Sequence, residues 1–236
     1  MINIFILSSM EIEIIDLINK YNAKLLLENK KFKIYYSNYN NNNLYFGISG
    51  IGGKNINNFF IIFDNLNINI DFLISIGFAG ATNEKLKVGN IVIPSNIFNK
   101  NNSKIFKIEN KINLNNNINC LTVNKVYFKK DKIILKDKSN NIDFIDMESF
   151  YICENCEKRK IKFFIIRCIS DDLLLELPNI KLISLYFNKN RKFDLYINLI
   201  KNFNEIIKFI KFHINIKKAK KSLYREVIKF ISKYII

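Results

Sequence analysis

Three carboxylate groups stand where apolar runs of this chain come to an end. Glu13 lies just past the run Ile2–Ser8, Glu148 follows Ile142–Met147, and Asp171 and Asp172 close Ile161–Ile169. Parallel α/β sheets bind their ligands outside the carboxyl ends of the strands, so polar groups at such ends are site candidates. Asp171 and Asp172 are adjacent, and two carboxylates at a buried strand end oppose each other's ionisation. A carboxyl kept protonated near neutral pH is what protonation of a leaving group requires. A helix cap formed by Ser170 or Asp171 accounts for the same residues equally well. Glu13 falls on the first turn of a helix, where the helix N-terminus stabilises an acid whatever its role. Two glycine stretches, Gly50–Gly53 and Gly77–Gly80, permit either close backbone approach to a ligand or simple turns. His213 is the only histidine, which speaks against Ser-His-Asp and Cys-His chemistry, and no P-loop or GxGxxG occurs.

The elements that must position these groups follow from the apolar pattern. Ile142–Met147, Glu148–Lys160 and Ile161–Ile169 predict strand, helix and doubly buried strand, a βαβ unit with a parallel pair. Upstream, strands are expected at Ile2–Ser8, Lys24–Glu28, Phe32–Ser37, Leu44–Ser49 and Asp71–Ile76, with helices at Glu11–Tyr21 and Asn55–Asn65. Asn38–Asn43 predicts a turn, and Gly77–Gly80 a loop closing the strand before it. A strand opens at Val88-Gly89-Asn90 and runs through Pro94. Lys100–Asn117 is a polar excursion, Cys120–Val123 a strand, and a basic region follows it. Two helices are expected from about residue 193 to the end. No linker or repeat divides the chain, so residues 1–236 form a single domain. The expected architecture is a three-layer α/β/α sandwich with a mixed, mostly parallel central sheet.

The formal net charge of +16 raises a polyanion partner. Lysine is nevertheless scattered through the whole chain, and arginine stands only at Arg159, Arg167, Arg191 and Arg225. Lys, Asn, Ile, Phe and Tyr share AT-rich codons, so composition drift accounts for the charge without nucleic acid. The four cysteines fit a reduced, cytoplasmic setting. Cys153 and Cys156 form one CxxC in mid-helix, which reads as packing, and no metal site is expected. The first residues lack a basic segment and a long apolar run, and no stretch approaches a membrane span. The carboxyl-terminal helices are basic and amphipathic, and peripheral contact with a membrane surface is one role for them.

The segments SSMEIE, SGIGG, ISIGFAG with KVGNIVIPS, DMES and IIRCISDD occur in an order that resembles the nucleoside phosphorylase/nucleosidase superfamily. Members similar to this chain break the N-glycosidic bond of a purine nucleoside through a ribosyl oxocarbenium ion. By that resemblance Asp171 is the acid that gives a proton to adenine N7, and Ser170 orients it. Glu148, with the backbone at Met147, would bind the ribose hydroxyls, and Glu13 would activate a water. Phe78, Ala79 and Gly80 would pack beside ribose and base. No cofactor is implied, since water is the nucleophile, or phosphate if the chain is a phosphorylase. A homodimer is implied as well. The continuation Asp172–Pro178, Phe78 and the late segment Ala219–Arg225 look more like the hopanoid-associated phosphorylase branch, whose members are thought to release adenine from adenosylhopane. The expected function is therefore release of adenine from a 5′-substituted adenosine, by hydrolysis because the first loop carries no arginine. Phosphorolysis would recruit Arg167 or Lys54. Methylthioadenosine/S-adenosylhomocysteine hydrolysis, purine nucleoside phosphorolysis and a non-catalytic nucleoside-binding module are the alternatives.

Overall fold

Phe5 and Leu7 pack into one apolar cluster while Ile4 and Ile6 pack into another. Side chains alternate across a strand, so β1 (Asn3–Ser8) must be covered on both faces. The computed structural model, which describes residues 1–29, 32–66, 68–100, 102–108, 117–139 and 141–234, shows what covers it. On the Phe5 side lie α2 (Gly53–Asp64), through Phe59, Phe60 and Phe63, and α4 (Ser149–Arg159), through Phe150, Cys153 and Cys156. On the Ile4 side lie α1 (Glu11–Lys20), through Ile14 and Leu17, and α7 (Ile206–Tyr234), through Ala219, Leu223 and Val227. The result is the expected α/β/α sandwich. Each large apolar side chain withdrawn from water in this way contributes roughly 1.5–3 kcal/mol before entropy is counted. Cys153 and Cys156 serve this packing, both being fully buried.

The sheet is mixed. Its order is β2 (Lys24–Glu28), β3 (Lys33–Tyr39), β4 (Asn42–Ile48), β1, β5 (Phe72–Ala81), β10 (Phe144–Asp146), β9 (Asn119–Thr122), β7 (Asn96–Asn99) and β8 (Asn102–Lys107). Strand β11 (Lys162–Asp171) pairs parallel with β5 and antiparallel with the short β6 (Ile91–Val92). The remaining helices are α3 (Lys129–Lys138), α5 (Ile180–Phe187) and α6 (Lys192–Lys201).

Four local expectations change. The turn in the asparagine run is confined to Asn40-Asn41, both at positive φ, and the rest of Asn38–Asn43 joins the β3–β4 ladder. Two successive left-handed residues match the twist of a hairpin, and asparagine tolerates that conformation better than most residues. Gly77–Gly80 is not a loop, because β5 continues through it to Ala81. The parallel pair expected of the βαβ unit does not form. β10 runs antiparallel to the end of β5, beside Gly80 and Ala81, while β11 lies parallel along the whole of β5. A ten-residue β5 is long enough to separate them. Finally, only Ile91–Val92 of the segment before Pro94 is strand, and the basic region after β9 is the helix α3. Of the polar excursion, Asn102–Lys107 is strand, and residues 101 and 109–116 lie outside the described residues.

Candidate active site

Glu13 is buried and holds three donors. Its Oε2 accepts from Ser8 Oγ at 2.7 Å and from the Met10 backbone N–H at 3.0 Å. Its Oε1 accepts from the Phe78 backbone N–H at 2.8 Å. The bond to Met10 is the helix-start role expected of an early acid, whereas the bond to Phe78 ties the carboxylate to the middle of the sheet. Burial pushes its pKa up, and the bonds from Ser8, Phe78 and Met10 pull against that. Gly77 makes room for it, since a Cβ there would lie 3.2 Å from Oε1.

Glu148 stands at the start of α4 yet does not cap it. Asp146 does so instead, accepting from the Ser149 N–H at 3.0 Å. The Glu148 side chain reaches the other glycine stretch, where Oε1 accepts from the Gly52 N–H at 2.8 Å. Gly52 has φ of 90°, a conformation that residues with a Cβ seldom adopt, so a glycine suits the turn that presents this N–H. Those N–H groups thus serve a protein carboxylate. Oε2 of Glu148 accepts nothing from the described residues. Burial, reinforced by Asp146, pushes the Glu148 carboxyl up to about 8, and Arg167 and the Gly52 bond oppose the rise.

Behind Glu148 lies a buried ion pair. Arg167 donates through Nε to Asp146 at 2.9 Å, and through its terminal nitrogens to Ser75 Oγ at 3.0 Å and Ser149 Oγ at 2.9 Å. The guanidinium is 2% exposed and fully engaged, so it has no fork to offer a phosphate. Of the other cations, Lys54 does not line the cavity described below. Lys33 and Lys125 do, but Lys33 is paired with Glu28 at 2.7 Å and Lys125 with Asp131 at 3.7 Å.

Asp171 ends β11, and Ser170 Oγ donates to its Oδ1 at 2.7 Å. Its nearest charged partner is not Asp172. The Lys132 ammonium, from α3, meets Oδ2, and Asp172 contributes only its carbonyl oxygen to that lysine, at 3.0 Å. The mutual opposition of two carboxylates expected from the sequence is replaced by an ion pair. Lys132 is the site residue that sequence reading missed. One lysine in a basic stretch carries no signal of its own, and only the fold turns it inward.

Glu13, Glu148 and Asp171 line one cavity of about 1080 Å³, together with Phe78, Ala79, Gly80, Met147 and Ser170. A second wall is apolar. Leu177, Ile180, Ile183, Phe187, Phe212 and Ile216 supply it from α5, α7 and the segment before α5. The sequence reading did not foresee this wall, because α5 is short and only the fold brings it together with Phe212 and Ile216 of α7. Among the described residues no cluster of His, Cys, Asp and Glu could hold a metal ion.

Fold and cavity define an α/β protein with an open cavity at its strand ends, lined by carboxylates from three separate elements. Residues 3–118 match the model of the phosphorylase superfamily. The fold match extends along the chain. An S-adenosylhomocysteine nucleosidase from Streptococcus pyogenes, in complex with 5-methylthiotubericidin, aligns over 100% of this chain and 98% of its own at 15% identity, with a TM-score of 0.71. A futalosine hydrolase of Helicobacter pylori aligns over 97% and 98% at 13% identity, TM-score 0.67. A 5′-methylthioadenosine/S-adenosylhomocysteine nucleosidase from Colwellia psychrerythraea, in complex with adenine, is 21% identical over 73% of this chain and 84% of its own, TM-score 0.60. The comparison with curated proteins gives no match. By sequence, residues 3–118 are similar to the phosphorylase superfamily, and the fold likeness to these nucleosidases extends beyond residue 118. Glu13 and Phe78–Gly80 fall within the matched span, whereas Glu148 and Asp171 lie beyond it.

Proposed function

We propose that this chain is a nucleosidase that hydrolyses the N-glycosidic bond of a 5′-substituted adenosine and releases adenine. One observation carries the reading: three carboxylates on one cavity wall are held in three different ways. Glu148 is anchored through Oε1, and its Oε2 has no donor among the described residues, which suits it to accept a ribose hydroxyl beside a developing sugar cation. Glu13, buried and raised, is placed to take a proton from water. Asp171 ends the strand opposite and addresses N7 of the base, with Ser170 orienting it. Phe78, Ala79, Gly80 and Met147 flank the ribose and base. The commitment of Arg167 to Asp146, Ser75 and Ser149 supports water rather than phosphate as the nucleophile. The names of the three structural neighbours above, two nucleosidases and a futalosine hydrolase, support the reaction class.

The apolar wall supports an apolar 5′ substituent. Within that class the sequence resemblance favours the adenosyl-lipid of hopanoid biosynthesis over methylthioadenosine. Incubation with methylthioadenosine, S-adenosylhomocysteine and a lipid-substituted adenosine, following free adenine, tests both levels. Release from none of them sinks the nucleosidase reading, and release only from the small thioethers sinks the finer one.

The carboxyl-terminal helices support one partner, an anionic membrane surface. Phe193, Tyr196 and Ile200 on α6, and Phe203, Ile207 and Ile210 at and beyond the start of α7, form an exposed apolar series. Lys192, Lys201, Lys208 and Lys211 stand among them. No described helix is long and apolar enough to cross a membrane, so the contact would be interfacial. A cytoplasmic homodimer is the accompanying expectation from the resemblance.

A further inference from the structure

Lys132 is the one lysine that is buried among the described residues. Removing an ammonium from water costs several kcal/mol unless it is paired and fully hydrogen-bonded. Here its three N–H groups meet three acceptors: Asp171 Oδ2, the Asp171 carbonyl at 3.2 Å and the Asp172 carbonyl at 3.0 Å. The pairing is closely fitted. A Cβ on Gly80 would lie 2.9 Å from Asp171 Oδ2 and 3.1 Å from Lys132 Cε, so this glycine leaves the room in which the two meet. Lys132 does not line the cavity, and Asp171 does. The lysine therefore stands behind the carboxyl that addresses the substrate.

We infer that Lys132 is a positioning residue that acts through Asp171 and supplies the proton Asp171 passes on. The inference rests on the nucleosidase reading above. An ion-paired carboxylate has no proton to donate, and the Lys132 N–H is the hydrogen already directed at its Oδ2. As the C1′–N9 bond breaks and its electron pair moves into the purine, the Lys132 N–H bond breaks and an O–H bond forms on Asp171. That proton goes to N7, so adenine leaves neutral. The carboxylate is restored, and after product leaves the neutral amine regains a proton from solvent through Asp171, which lines the cavity. The proton released by the attacking water goes to Glu13 and from there to solvent when the products leave.

A leaving group that needs no proton separates this role from a structural one. Each variant is assayed on methylthioadenosine and on 4-nitrophenyl 5-methylthio-β-D-riboside, whose nitrophenolate departs as an anion. The ratio of the two rates within one sample is independent of the fraction folded. Lys132→Met is expected to lower the adenine-to-nitrophenol ratio on the order of 10²-fold, the lower reach of general-acid catalysis. Asp171→Asn should do the same, the double variant should be no worse than Asp171→Asn alone, and Lys132→Arg should recover part of the loss. An unchanged ratio in Lys132→Met, or loss of both activities alike, overturns the inference. Failure of the unaltered protein to release adenine from methylthioadenosine, from S-adenosylhomocysteine and from a lipid-substituted adenosine alike overturns the nucleosidase reading instead.

Discussion

The backbone N–H of Phe78 donates to Glu13 Oε1 at 2.8 Å, joining the first turn of α1 to the last third of β5. The bond fixes a carboxylate 65 positions away in sequence at the point where β5 passes the cavity. It also explains Gly77, since a larger residue would press on the oxygen that receives the hydrogen.

Glu13→Gln should keep nucleoside binding and lose turnover by roughly 10²–10⁴-fold, as expected when a general base is removed. Burial raises the Glu13 pKa, and a base works only when ionised. The kcat/KM of the unaltered protein should therefore rise with pH along a limb lying above the ordinary carboxylate range. A variant as fast as the parent would take Glu13 out of the mechanism.

Glu148→Gln should weaken both binding and turnover, because it replaces a carboxyl oxygen that faces the ribose with an amide nitrogen that cannot accept a hydrogen bond. Its stability should behave differently. The folded carboxyl titrates at about 8 against a model value of 4.5. Between those values the folded protein holds a proton that the unfolded chain has released. This group's stabilisation is therefore fully present below pH 4.5 and is lost as pH rises through 8. Glutamine does not titrate, so the Tm of Glu148→Gln should gain on that of the parent between pH 5 and pH 9. Parallel Tm profiles would contradict the raised value.

Adenine release should proceed at the same rate with and without phosphate and give free ribose product. Arg167 is committed to Asp146, Ser75 and Ser149, and it should be needed for folding. Arg167→Met leaves Asp146 buried without its cation and should destabilise the protein by about 3–5 kcal/mol in denaturant melts. Ribose 1-phosphate as the only product would require a cation that the apo arrangement keeps paired.

Co-sedimentation with phosphatidylserine-containing vesicles should exceed that with neutral vesicles and fall with salt, because lysines draw the helices to an anionic surface. The combined change Phe193→Ser, Ile200→Ser and Ile207→Ser should abolish it without altering adenine release from a small substrate. If the same change instead dissolves a dimer and vesicles never bind, the face belongs to a second copy of the chain.

Much of this was legible along the chain because it depends on local pattern. Continuous apolar runs mark β1, β5 and β11 as doubly covered and helical spacing marks α1 and α4; Glu13 and Glu148 stand at the starts of those helices and Asp171 at the end of β11. Residue type and position within an element are enough for that. The companions of those three groups depend on which distant segments the sheet brings together, and no local pattern records it. Gly52 reaches Glu148 across 96 positions, and Lys132 reaches Asp171 across 39. Lys132 is one lysine in a basic stretch and Gly52 one glycine in a turn, until the fold brings each of them against a carboxylate. The pairing of β10 and β11 was misjudged for the same reason, since a βαβ pattern states that a helix crosses over but not which strand lies between. The tertiary structure decided that Asp171 faces a cation and that apolar residues of α5 and α7 line the same cavity as the carboxylates. Both follow from the cost of leaving a buried charge unpaired or an apolar face in water.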